Sequence, residues 1–138
     1  MLAACAALFS GCGSSGGGTG PRGWNHAAGG LWTDPRSKQD EFRVTSEPYD
    51  GTLKDLASLT TTNLVLRTHA KLDSAAAFSP CPALAGLQGF TLPDGTLAKV
   101  AFAVRNGRRI QAEYVRSAEE PVDPAAIDAL AANVCALP

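Results

Sequence analysis

Four cysteines and two histidines carry most of the chemistry open to this chain of 138 residues. The cysteines are Cys5, Cys12, Cys81 and Cys135. They form no Cys-x-x-Cys pair and have no histidine close in sequence, so a catalytic or redox thiol is not expected. His26 and His69 stand apart with no third ligand at metal spacing, so neither a zinc site nor any other cofactor is expected. The carboxylates Asp34, Asp40, Glu41, Asp50, Asp55, Glu119, Glu120 and Asp123 fall in predicted turns and helix starts. Capping and solubility account for them better than acid–base chemistry does. Gly16-Gly17-Gly18 lacks the Lys-Ser/Thr of a phosphate loop. A formal net charge of −1 gives no electrostatic case for nucleic acid. The expectation is a protein that is not an enzyme. The alternative is a small hydrolase-like or sensing domain whose site is assembled from distant residues, such as His69 with an aspartate.

The stretch from Leu8 to Gly20, LFSGCGSSGGGTG, sets where such a protein works. An apolar run ends in small residues, then a cysteine, then Gly and Ser. Phe9-Ser10-Gly11-Cys12 resembles a lipobox, the cleavage and lipidation site of bacterial lipoproteins. The resemblance implies that Cys12 opens the mature chain and carries acyl groups. Leu2-Ala3-Ala4-Cys5 matches the pattern even better, so a longer precursor could be cut at Cys5; Cys12 is preferred because the Gly/Ser leash follows it. Residues 1–11 then read as a signal peptide. They lack the positive n-region, which predicts a start further upstream. Residues 12–22 read as a lipidated flexible tether, and 23–138 as a single domain of ordinary globular composition. No run approaches the ~18 apolar residues of a spanning helix. Lipid on Cys12 is therefore the expected link to a membrane, in the bacterial cell envelope and facing periplasm or exterior. An envelope protein or a small apolar ligand is the expected partner of this binding or assembly module.

With Cys5 and Cys12 assigned to export and lipidation, Cys81 and Cys135 remain. Two cysteines left over in an oxidising compartment are expected to pair. The bridge would staple the rigid corner Pro80-Cys81-Pro82 to the last helix. A separation of 54 residues corresponds to stabilisation of about 3–4 kcal/mol.

The elements that position these residues are read from periodicity. Pro21 to Pro35 is taken as an irregular lead-in that packs Trp24 and Trp32 onto the domain. Glu41 to Thr45 alternates as a strand. Thr52 with Asp55 caps a helix over about 52–63, with Leu53, Leu56, Ala57, Thr60 and Leu64 on one face. The run Thr60-Thr61-Thr62 is expected to end it. Val65 to Leu72 is taken as a strand, followed by an irregular link or second short strand to Phe78. Pro93-Asp94-Gly95 marks a turn after a short strand at Phe90. Leu97 to Val104 and Arg109 to Arg116 form a hairpin (96–116) about the type I′ signal Asn106-Gly107. Arg105, Arg108, Arg109 and Arg116 cluster near its tip. They are read as solvated charges, with an anion or headgroup contact as the sharper reading. Asp123 and Pro124 open a second helix, about 124–136, with Ile127, Leu130, Ala131, Val134 and Cys135 in one stripe.

Strands joined mostly by short turns, with two helices packed on them, predict an α+β class with an antiparallel sheet. From about Glu41 to Leu137 this outline resembles the PsbP-like α/β fold of many bacterial lipoproteins and photosystem accessory proteins. That resemblance implies a binding or assembly module without catalytic residues and carries no site residue over.

Overall fold

The computed structural model describes residues 18–82 and 84–136. At its centre is the hairpin of β6 (Leu97–Arg105) and β7 (Arg108–Arg116), paired from Leu97↔Arg116 to Arg105↔Arg108. Asn106 and Gly107 both take positive φ, 53° and 74°. That is the geometry a two-residue turn needs to match the twist of its strands. The ladder continues beyond β7 through β3 (Ser37–Pro48), β2 (Leu31–Asp34) and β1 (Asn25–Ala28). On the other side it continues through β5 (Ala85–Thr91) to β4 (Lys71–Phe78). The resulting seven-stranded sheet has the order β1-β2-β3-β7-β6-β5-β4, with every pair antiparallel. Two helices, α1 (Leu53–Thr68) and α2 (Pro124–Ala136), complete the α+β fold.

The helices cover opposite faces. Side chains alternate along a strand, so Val100 and Phe102 share a face of β6, and Ala101 and Ala103 share the other. Phe90, Ala98, Val100 and Phe102 pack with Leu56 and Leu64 of α1. Ala101, Ala103, Ile110 and Ala112 pack with Ala129 and Leu130 of α2. The central strands are therefore buried on both sides; β6 reads as a near-continuous apolar run, while β7 buries Gln111 and Glu113 between its apolar residues.

Three expectations change. First, α1 does not stop near Asn63 but runs to Thr68. Its threonines are fixed by the sheet: buried Thr60 accepts a hydrogen bond from Gln111 Nε2 at 3.0 Å, and Thr61 donates to Gln88 Oε1 at 3.3 Å. These tertiary bonds and the burial of Leu64 outweigh the weak propensity of a β-branched run. The capping box at Thr52 and Asp55 forms as expected.

Second, the strand expected over Val65–Leu72 is helix through Thr68. His69 ends the helix in the left-handed conformation, φ 58°. Of the irregular link or second short strand expected next, the strand forms: it is edge strand β4, with a register shift between Leu72 and Ser74. Third, the lead-in contains the β1–β2 hairpin. Four-residue strands leave too short a pattern to read. The tryptophans do pack inward. Trp24 is buried edge-to-face on Tyr114 at 6.0 Å, and Trp32 lies edge-to-face on Phe42 at 6.3 Å.

Candidate functional site

Cys81 and Cys135 are bonded, with Cα atoms 6.1 Å apart. The bridge joins the loop that leads into β5 to the last turn of α2. Cys12, expected to be lipidated, and its alternative Cys5 lie outside the described residues, as does the expected signal segment.

The amino end of the described chain is tied to α2. Asn133, buried within that helix, accepts the Thr19 N–H through Oδ1 at 2.8 Å. Its Nδ2 donates to the Thr19 carbonyl at 2.7 Å and to Ala129 O at 2.7 Å. One side-chain amide thus pairs with both polar groups of one backbone residue, as a neighbouring strand would. Gly18 sits against Val44 and Asn133 at φ 98°, where an added Cβ would lie 2.6 Å from Val44 Cγ1. Only glycine fits there. The expected tether 12–22 thus has its last five residues against the body.

Asn133→Ala removes these three bonds and leaves partners without theirs. It should cost about 1–3 kcal/mol, read as a shift in the denaturant midpoint. Faster amide exchange at Thr19 should accompany it. An unchanged midpoint would show that the clamp contributes nothing to the fold.

A second tie lies at the other end of α2. Asp123 caps the helix by accepting from Ala125 N at 2.9 Å. The same carboxylate accepts from Trp24 Nε1 at 2.8 Å and from Arg36 at 2.6 Å. Burial alone would raise the Asp123 carboxyl, but these hydrogen bonds outweigh it and hold the group below the usual range. Tyr114 Oη receives the Asp123 N–H at 3.0 Å.

The arginines near the hairpin tip are not all the solvated charges expected. Arg109 is buried, paired with Glu47 and lying over the Tyr49 ring at 5.2 Å. Arg105 donates to Val134 O at 2.6 Å, across to the end of α2. Arg108 stays exposed. Arg116 lies at the far end of β7, donating to Glu120 O at 2.6 Å. Three of the four therefore gather at the tip and the fourth does not.

The histidines do not meet. His26 is exposed, stacked on Trp32 at 4.8 Å and bonded to Gly29 O at 2.6 Å. His69 is the exposed cap residue of α1, its backbone N–H bonded to Val65 O at 3.0 Å. Among the described residues no three of His, Cys, Asp and Glu group closely enough to hold a metal ion.

Sequence reasoning missed two polar residues. One is Asn133, a polar position next to the apolar stripe of α2. The other is Glu113, fully buried with both carboxylate oxygens unpaired. Glu113 faces Arg43 across the β3–β7 ladder. Burial pushes its carboxyl up to about 8, with Glu41 adding to the rise and Arg43 opposing it.

An apolar groove of about 460 Å³ lies between the first turns of α1 and strands β4 and β5. Leu53, Ala57, Ala75, Ala77, Leu84 and Phe102 line it. Leu84 is 62% exposed at its rim. Such a surface takes mainly apolar groups, with Lys54 and Gln88 as its polar lining.

No protein-family model matches the chain, and no curated protein matches it. Among solved structures it is similar to cyanobacterial PsbP (CyanoP) from Synechocystis sp. PCC 6803. Identity is 17%, coverage is 72% of each chain and the TM-score is 0.49.

Proposed function

We propose that this chain is a non-catalytic binding or assembly domain of the bacterial cell envelope, lipid-anchored through Cys12. The observation that carries the reading is the Cys81–Cys135 bridge. Disulfides persist in oxidising compartments and are rare in the cytoplasm, so the bridge supports export. Export is what the lipobox resemblance at Phe9–Cys12 implies. No helix among the described residues is long and apolar enough to cross a membrane. Two or more acyl chains suffice for stable anchoring. The partner is an envelope protein or a small apolar ligand, and the groove beside β4 is the surface that suits either.

The test is expression of the precursor in a bacterial host, followed by fractionation and mass spectrometry. Wild-type chain should collect in the membrane fraction with acyl groups on Cys12, and Cys12→Ser should release it. An unmodified, released wild type would overturn the reading. Acyl groups on Cys5 would move the anchor seven positions upstream.

A further inference from the structure

We infer that the tip of the β6–β7 hairpin, with Arg108 exposed at the turn, faces the lipid bilayer and meets anionic headgroups. The inference rests on anchoring at Cys12 and adds a face and a partner chemistry to it.

The first argument is where the chain meets the body. Thr19 is clamped by Asn133, the residue just before the one whose carbonyl receives Arg105. From Thr19 the chain runs to Trp24, which is bonded to Asp123 at the opposite end of α2. It therefore runs antiparallel to that helix. Followed backwards from Trp24 to Gly18, it heads for the end where α2 stops and the hairpin turns. Tyr49 N also donates to Gly107 O at 2.8 Å, so the end of β3 belongs to the same pole.

The second argument is reach. Gly18 stands six positions after Cys12, which allows at most about 20–22 Å when fully extended. A relaxed coil of that length spans about 12–15 Å. Gly18 packs against Val44, four residues from Pro48 at the tip pole and seven from Ser37 at the other pole. At about 3.3 Å per residue these are roughly 13 Å and 23 Å. Tip-down placement falls within the relaxed coil. The inverted placement exceeds the extended one.

The third argument is charge. The tip pole carries Arg105, Arg108, Arg109 and Lys54 against Glu47, Asp50 and Asp55. The far pole carries Asp34, Asp40, Glu41, Asp73, Asp94, Glu119, Glu120 and Asp123 against Arg36, Arg43, Arg67, Lys71, Lys99 and Arg116, an excess of acid. An anionic surface attracts the first and repels the second. Arg108 is the exposed guanidinium at the turn itself.

The experiment uses the full chain with Cys5→Ser and a diacyl lipid attached chemically to Cys12. A fluorescent amino acid is placed at Asn106 or at Asp94. Vesicles of phosphatidylcholine, with and without phosphatidylglycerol, carry a headgroup-attached quencher. The probe at position 106 should be quenched severalfold more than the probe at 94. Equal or reversed quenching overturns the inference. On phosphatidylglycerol vesicles Arg108→Glu should reduce quenching at 106, with no change on neutral ones. An identical response on both overturns the headgroup contact. Because the lipid is attached chemically, the result does not depend on whether a cell lipidates Cys12. The release of Cys12→Ser decides that separately.

Discussion

Replacing both Cys81 and Cys135 by Ala is expected to lower the stability of this domain by about 4 kcal/mol. The bridge closes a segment with a sequence separation of 54. A cross-link of that span removes a large share of the conformations open to the unfolded chain. The closed segment contains β5, β6, β7 and α2, the middle of the sheet and one of its two covers. Without the bond, α2 still has Ala126, Ala129, Leu130 and Val134 buried on the sheet, so the variant should fold. What it loses is margin, against a total of roughly 5–15 kcal/mol for a domain of this size. Denaturant titration of the double variant beside the oxidised wild type measures the difference. A loss under about 1 kcal/mol would mean that the unfolded chain is already confined by other means.

Glu113→Gln should abolish a fall in stability between about pH 4.5 and pH 8. The folded chain holds this carboxyl protonated up to about pH 8, against an ordinary value of 4.5. Below the ordinary value both states carry the proton, and stability is at its full level. Between the two values the unfolded chain releases the proton and the folded chain keeps it, so stability falls as pH rises. Each step of one pH across that window costs on the order of 1.4 kcal/mol. Above pH 8 the folded chain releases the proton too, and the accumulated cost levels off at a few kcal/mol. Glutamine has the same shape and no charge to desolvate. Its variant should match wild type near pH 4 and exceed it above pH 8. Asp94 and Asp123, both held below the usual carboxylate range, act with the opposite sign and at lower pH, outside this window. Parallel stability curves for variant and wild type would show that Glu113 finds a partner for its charge in the folded protein.

What the sequence made legible was local. Asn106-Gly107 specified the central turn because few residues accept positive φ twice in succession. Thr52 with Asp55, and Asp123 with Pro124, marked helix starts because capping is settled within one turn. The cysteine pair was legible from compartment and elimination. What remained hidden was decided across the fold. Residues 64–68 stay helical because Leu64 is buried and Thr60 and Thr61 bond to strands β7 and β5. Glu113 sits between Ala112 and Tyr114, an alternation that reads as one wet face and one dry face. Both faces are dry because the helices lie on opposite sides, and no window of residues states that. Asn133 was similarly silent, since its partner is backbone 114 positions away.

The clamp and the bridge also have a mechanical consequence. Tension applied at the amino end reaches the body at Thr19 and passes through the Asn133 amide into the last turns of α2. Two residues further on, Cys135 rivets that helix end to the loop leading into β5. A pull on the amino side of Thr19 therefore loads a covalently backed strut, and cannot unzip β1 from the sheet edge without first breaking the clamp.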